Sequence, residues 1–123
     1  MKILVIDDSE TVRSQLRRDL VGFGYEVVEA EDGVVGLSQA LAHKPDLILC
    51  DVNMPNLDGL SMIRHLRKEP GMSALPIFML TTESSSDLKA TAKELGIRAW
   101  ITKPHDPVKL NLGIRKVLGM NQT

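Results

Sequence analysis

Three aspartates, a threonine and a lysine carry most of the reactive chemistry in this chain of 123 residues. Asp7 and Asp8 follow the apolar run "KILVI", Asp51 follows "DLILC", Thr81 follows "PIFML" and Lys103 follows "IRAWIT". Two unit charges 4 Å apart repel by roughly 4 kcal/mol at an effective dielectric of 20, so clustered carboxylates call for a cation among them. Hard oxygen donors, with no Cys or His among them, favour Mg²⁺ over zinc. Asp8 and Asp51 are read as direct ligands and Asp7 as acting through water. Lys103 adds a point positive charge and Thr81 a hydroxyl. A carboxylate, Mg²⁺, a lysine and a hydroxyl together suit phosphoryl transfer to a carboxylate.

Those residues meet only if the apolar runs are neighbouring strands. "KILVI" and "DLILC" are runs of the kind buried on both faces of a parallel sheet. "YEVVEA" is weaker and more polar, as an edge strand is. Between the runs lie helical patterns. Val12, Leu16 and Leu20 recur at helical spacing, with Gly22 and Gly24 as stops. Asp32 can cap a short helix with Val34, Leu37 and Leu41 inward, and Asp58 one with Leu60, Ile63 and Leu66 inward. Residues 84–95 form a helix stopped by Gly96, and residues 107–118 a last one with Leu110, Ile114, Val117 and Leu118 inward. Strand and helix alternate five times. That implies an α/β fold, a doubly wound parallel sheet with right-handed crossovers and helices on both faces. In such folds the working site lies at the carboxyl ends of the strands, where the acids, Thr81 and Lys103 fall.

The length suits one domain, residues 1–123. Fifteen basic against sixteen acidic side chains give a net charge of -1, and no reason to expect nucleic acid or an anionic membrane as partner. No apolar run approaches the roughly 20 residues of a membrane helix. The first residues are too short a stretch for a signal peptide. Cys50, the lone cysteine, reads as core in a cytoplasmic protein. His43, His65 and His105 are scattered and read as surface or helix residues.

Each signal has a plainer reading: "DD" is commonly a helix cap, a strand-end Asp a turn residue, "TKP" a loop. Their occurrence together, at the ends of the first, third, fourth and fifth strands, outweighs that. The motifs "VIDDSE", "LILCDVNMPNLDG", "MLTTE" and "ITKP", with "AEDG" and "MSALP", resemble the receiver domain of bacterial response regulators, most of all its CheY-like single-domain, chemotaxis-like members. The resemblance spans essentially the whole chain. It implies the flavodoxin-like strand order 2-1-3-4-5, for which the chemotaxis protein is itself a standard example. It implies a phosphorylation-activated module of a two-component signal-transduction system, with Asp51 accepting a phosphoryl group from a sensor histidine kinase. Asp7, Asp8, Asp51 and the Asn53 backbone carbonyl would hold Mg²⁺. Lys103 would contact the phosphoryl group, Thr81 would hydrogen-bond to it, and Trp100 stands where the family has an aromatic switch residue. Asn53 and Glu83 occupy positions that tune phosphoryl lifetime, and the bond before Pro104 would be cis.

Three departures bear on the partner: His105 where the family has a bulky apolar residue, Lys89 on a helix face that is apolar in the chemotaxis protein, and Gly113 in place of a lysine. The expected output face is the fourth helix, fifth strand and last helix. It carries Lys89, Arg98 and Lys116, which suits an unknown downstream protein of acidic character. A monomer is expected, with a phosphorylation-dependent dimer left open. Among alternatives, an aspartyl-phosphate phosphatase needs a second acid where Asn53 stands. A flavodoxin-like cofactor domain needs a Gly/Ser/Thr-rich loop where "DDSE" stands. A degenerate receiver would lack Asp51 or Lys103. The chain is therefore read as a phosphoacceptor that assists its own reaction, not an enzyme.

Overall fold

A computed structural model describes residues 1–120 of the chain. Its elements alternate strictly: β1 (Lys2–Ile6), α1 (Glu10–Gly22), β2 (Glu26–Ala30), α2 (Gly33–His43), β3 (Leu47–Cys50), α3 (Gly59–Arg67), β4 (Ile77–Thr81), α4 (Ser86–Glu94), β5 (Ala99–Thr102) and α5 (Pro107–Val117). All strand pairs are parallel, in the order β2-β1-β3-β4-β5. The expected fold is thus observed, with β2 at an edge. The last three residues of the expected 1–123 domain lie outside the described residues.

Strand alternation divides the core in two. Ile3 and Val5 of β1 face α1 and α5, where Leu16, Leu20, Leu110 and Ile114 join Phe78 and Leu80. Leu4 and Ile6 face the other way, with Ile48, Met79 and the helix residues Ala40, Ile63, Leu66 and Ala92. Each helix starts at a capping side chain, as the sequence suggested for Asp32 and Asp58. Asp32 accepts from the Val35 N–H at 2.9 Å and Asp58 from the Ser61 N–H at 2.9 Å. Ser85 takes the same role for α4, which is why that helix begins at Ser86 and not at residue 84.

The expected inner face of α2 needs correction. Val34 is 54% exposed and Leu41 38%, while Gly33, Gly36 and Ala40 are buried and Leu37 is half-buried. The helix lies so close to β1 that a Cβ on Gly36 would sit 2.7 Å from Ile6 Cδ1. Small residues therefore mark the buried side, and a reading by apolar spacing alone turns the helix the wrong way.

The sheet end remote from the acids is tied by Arg67. Its guanidinium donates to the carbonyls of Met72 at 2.9 Å, Leu75 at 2.7 Å and Leu95 at 3.0 Å, joining the end of α3 to the next loop and to the end of α4.

Candidate functional site

The carboxyl ends of β1 and β3 bring Asp7, Asp8 and Asp51 together, with one carboxylate oxygen of each within 4.8 Å of the others. The strand ladders run on into the acids. The Asp7 N–H donates to the Ala30 carbonyl at 3.1 Å and the Asp51 N–H to the Ile6 carbonyl at 3.0 Å. Asp7 and Asp51 are buried and Asp8 is exposed. Asp7 spends both oxygens on the protein: Oδ1 accepts from the Ser9 N–H at 2.9 Å and Oδ2 from Lys103 Nζ at 2.6 Å. Asp51 Oδ1 accepts from the Val52 N–H at 2.7 Å, and its Oδ2 lies 3.1 Å from Lys103 Nζ.

One lysine therefore bridges two acids from different strands. Burial alone would lower the pKa of its ammonium, but the hydrogen bonds it donates to Asp7 and Asp51, together with their charges, outweigh it and raise the group above its ordinary 10.5. Asp7 moves up from 3.8, because burial outweighs the bonds from Lys103 and Ser9 and Asp51 adds repulsion. β5 delivers Lys103 to this point. The Lys103 N–H donates to the Thr81 carbonyl at 3.0 Å, and the Lys103–Pro104 peptide is cis.

The donor set fits a hard divalent cation of the Mg²⁺ kind. The soft neighbour, Cys50, points into the core and donates to the Asp51 carbonyl at 3.2 Å; burial pushes its thiol well above the ordinary 9.0.

On the β4–β5 side the remaining candidates meet at one residue. The Glu83 carboxylate accepts from Asn53 Nδ2 at 2.5 Å. The Glu83 N–H donates to Thr81 Oγ1 at 3.2 Å, and the Glu83 carbonyl accepts from Trp100 Nε1 at 2.9 Å. Thr81 is buried, whereas Trp100 is half-buried against the core. Glu83 thus joins the neighbour of Asp51 to the hydroxyl and the aromatic. Two of these three contacts use the Glu83 backbone, which no side-chain pattern advertises.

Two features escaped sequence reasoning. The first is Glu29 near the end of β2, which pairs with Arg17 and lies 3.5 Å from Arg13 Nε. Arg13 in turn donates to the Asp7 carbonyl at 2.6 Å, so β2 helps place the acid loop through α1. The spacing of Arg13 and Arg17, one helical turn apart on the side facing β2, is the signal that could have found it. His105 is the second. His43 and His65 are exposed on helices as expected, but the His105 side chain is only 7% exposed and its Nε2 lies 2.8 Å from Asp19 Oδ2 on α1.

Known proteins resemble this chain in sequence and fold. The family model described as the response regulator receiver domain matches residues 3–115. Protein PilH of Pseudomonas aeruginosa is 38% identical over 117 residues, covering 95% of this chain and 97% of its own. Chemotaxis protein CheY1 of Helicobacter pylori is 37% identical over 123 residues, covering 98% and 99%. The alkaline phosphatase synthesis transcriptional regulatory protein PhoP of Bacillus subtilis is 39% identical over 117 residues, but this chain spans only 48% of its length. Among solved structures, chemotaxis protein CheY4 of Vibrio cholerae superposes with a TM-score of 0.88 at 36% identity, over 94% of this chain and 97% of that one. With the family model matching most of the chain and these relatives covered almost end to end, the chain belongs to the response regulator receiver domain family of two-component systems.

Proposed function

We propose that this protein is a phosphorylation-activated signalling module that takes a phosphoryl group from a sensor histidine kinase onto Asp51. The observation that carries the reading is the Lys103 ammonium, 3.1 Å from Asp51 and 2.6 Å from Asp7, on a rim of three clustered carboxylates. A carboxylate oxygen of Asp51 attacks the phosphorus. An O–P bond forms as the P–N bond of the phosphohistidine breaks, and the leaving imidazole takes up a proton from solvent. The Val52 N–H fixes one Asp51 oxygen during this step. Asp7, Asp8, Asp51 and the Asn53 carbonyl would hold Mg²⁺, which when bound offsets charge on the phosphoryl oxygens. Lys103 can exchange its Asp51 contact for a phosphoryl oxygen, and the Thr81 hydroxyl can donate to another. Asn53 and Glu83, joined side chain to side chain at the mouth, stand where they govern entry of the water that ends the signal. The protein is a phosphoacceptor assisting its own reaction, and not an enzyme acting on a separate substrate.

Phosphorylation adds roughly 1.5 to 2 negative charges and three acceptor oxygens. When Thr81 turns to them, its bond from the Glu83 N–H is released, and the Glu83 carbonyl that holds Trp100 is free to shift. The change would emerge on the α4–β5–α5 face as a population shift. There a groove of about 510 Å³, lined by Phe78, Ile101, Leu110 and Gly113, lies between Arg98 and Lys116. It suits an acidic downstream partner with an apolar side. A cytoplasmic monomer accords with such a role, and no described helix is long and apolar enough to cross a membrane.

Acetyl phosphate with Mg²⁺ should label the protein, and mass spectrometry after borohydride trapping should place the modification on Asp51. Labelling of Asp51→Asn at the wild-type rate would refute the assignment. With beryllofluoride as phosphoryl mimic, NMR shifts should extend from the acids to Trp100 and α4; shifts confined to the acids would refute the output route.

A further inference from the structure

The loop between β5 and α5 carries a residue that the proposed chemistry does not yet use. Lys103 opens the loop and Asp106 closes it, the latter by capping α5 through the N–H groups of Val108 at 3.0 Å and Lys109 at 3.2 Å. Between them stand Pro104 and His105. Beneath the loop is a cavity of about 160 Å³ lined by Ile101, Pro104, His105 and Leu110 among others, so packing from below is incomplete. The imidazole instead reaches sideways, to Asp19 Oδ2 at 2.8 Å, and is nearly covered.

Asp19 sits on α1, and α1 is already joined to the acids. Its Arg13 donates to the Asp7 carbonyl at 2.6 Å, and Ser9, its cap, donates from its N–H to Asp7 Oδ1 at 2.9 Å. One helix therefore holds both halves of the site, the acid loop by its first turns and the lysine loop by Asp19. An apolar residue at position 105 could fill space, but only a hydrogen-bonding pair sets both a distance and a direction. Placement matters here, because a displacement near 1 Å can cost a transfer step roughly a hundredfold.

We propose that His105 is a positioning residue for phosphoryl transfer, acting with Asp19 to register Lys103 against Asp51 through α1. The inference rests on the reading of Asp51 as phosphoacceptor. At saturating acetyl phosphate and Mg²⁺, His105→Phe and Asp19→Ala should each lower the maximal rate of Asp51 phosphorylation, by roughly tenfold if the lysine shifts by a fraction of an ångström. The Mg²⁺ affinity should be unchanged, since neither residue is a ligand. A purely structural role would lower the melting temperature without this separation of rate from metal affinity. His105→Gln, which keeps a donor of similar reach, should recover most of the rate. The double variant should be no slower than the worse single one, as expected of residues acting as a unit. Wild-type maximal rates in His105→Phe or Asp19→Ala, losses that simply add, or a His105→Gln as slow as His105→Phe would overturn the pairing. Should His105→Phe not fold, Asp19→Ala and His105→Gln decide: slow transfer in Asp19→Ala with near-normal transfer in His105→Gln supports it, and equal wild-type rates in both overturn it. Failure of the wild-type protein to label at Asp51 would instead overturn the underlying reading, and this one with it.

Discussion

The two halves of the site are built differently. Around the acids, position is enforced by backbone. The Gly59 N–H donates to the Val52 carbonyl at 2.8 Å, the Gly33 N–H to the Leu57 carbonyl at 3.1 Å, and strand ladders run straight into Asp7 and Asp51. In the other half, every bond that joins Glu83 to Asn53, Thr81 or Trp100 has a side chain at one end at least, as does the pairing of the Lys103 ammonium with Asp7 and Asp51. The strands behave accordingly: β3 is buried at every residue, β5 at none. Backbone contacts between packed elements have few alternatives, whereas a side-chain hydrogen bond nets only about 1 kcal/mol and can be exchanged for another. In the proposed reading the acid half serves as a scaffold and the β4–β5 half as the part that responds.

The contrast breaks most visibly at Gly59. A Cβ there would lie 2.0 Å from the Asp51 carbonyl oxygen, a backbone atom that cannot rotate away. Gly59→Val should lower stability by about 3 kcal/mol, at the upper end for overpacking, and weaken Mg²⁺ binding as the Asp51 backbone shifts. Urea unfolding and a Mg²⁺ titration followed by NMR measure the two effects. A variant with near wild-type stability and metal affinity would mean that the acid half is softer than its packing indicates.

On the responsive half the expected effect is smaller. Trp100→Phe removes the bond from Nε1 to the Glu83 carbonyl while keeping an aromatic ring. The loss should be about 1 kcal/mol, the net worth of one such bond, with Mg²⁺ affinity unchanged. Circular dichroism must follow the unfolding, because this substitution removes the sole tryptophan. A parallel fall in metal affinity would show the halves to be one rigid unit and dissolve the comparison.

This division also governs what could be read from the sequence. Strands such as "KILVI" and "DLILC" announce themselves because both faces are buried, and their terminal acids follow at once. Asp32 and Asp58 were legible as caps because the chemistry is local in sequence. Val34 and Leu41 misled because α2 packs through its glycines, and closeness of approach leaves no apolar signature. His105 and Asp19 are 86 residues apart, and Glu83 acts largely through its backbone. Pairings of that sort depend on how helices lie across the sheet, and no local pattern encodes them. The strand order itself came by resemblance, since alternation alone permits several orders.

The smallest effect sharpens the comparison by isolating one charge in the scaffold half. Asp32 accepts from the Val35 N–H at 2.9 Å and from Asn56 Nδ2 at 2.8 Å, tying α2 to the loop that follows Asp51. These bonds, the backbone one first, hold its carboxyl below the ordinary 3.8. A depressed acid adds stability that is fully present above its unfolded-state pKa and is lost as pH falls through the lower, folded-state value. Asp32→Asn keeps an oxygen for the Val35 N–H, and Asn caps helices about as well as Asp, but the acceptor for Asn56 Nδ2 is lost together with the charge. Its stability should therefore trail the wild type by a small, constant margin from neutral pH downwards, and the margin should begin to narrow only below 3.8. Urea midpoints of both proteins, taken in steps from pH 7 into that range, test this. A margin that narrows well above 3.8 would mean that the charge at position 32 acts through some other titrating group. One that never narrows would mean that the bond to Asn56, and not the ionisation, is what Asp32 contributes to the loop beside Asp51.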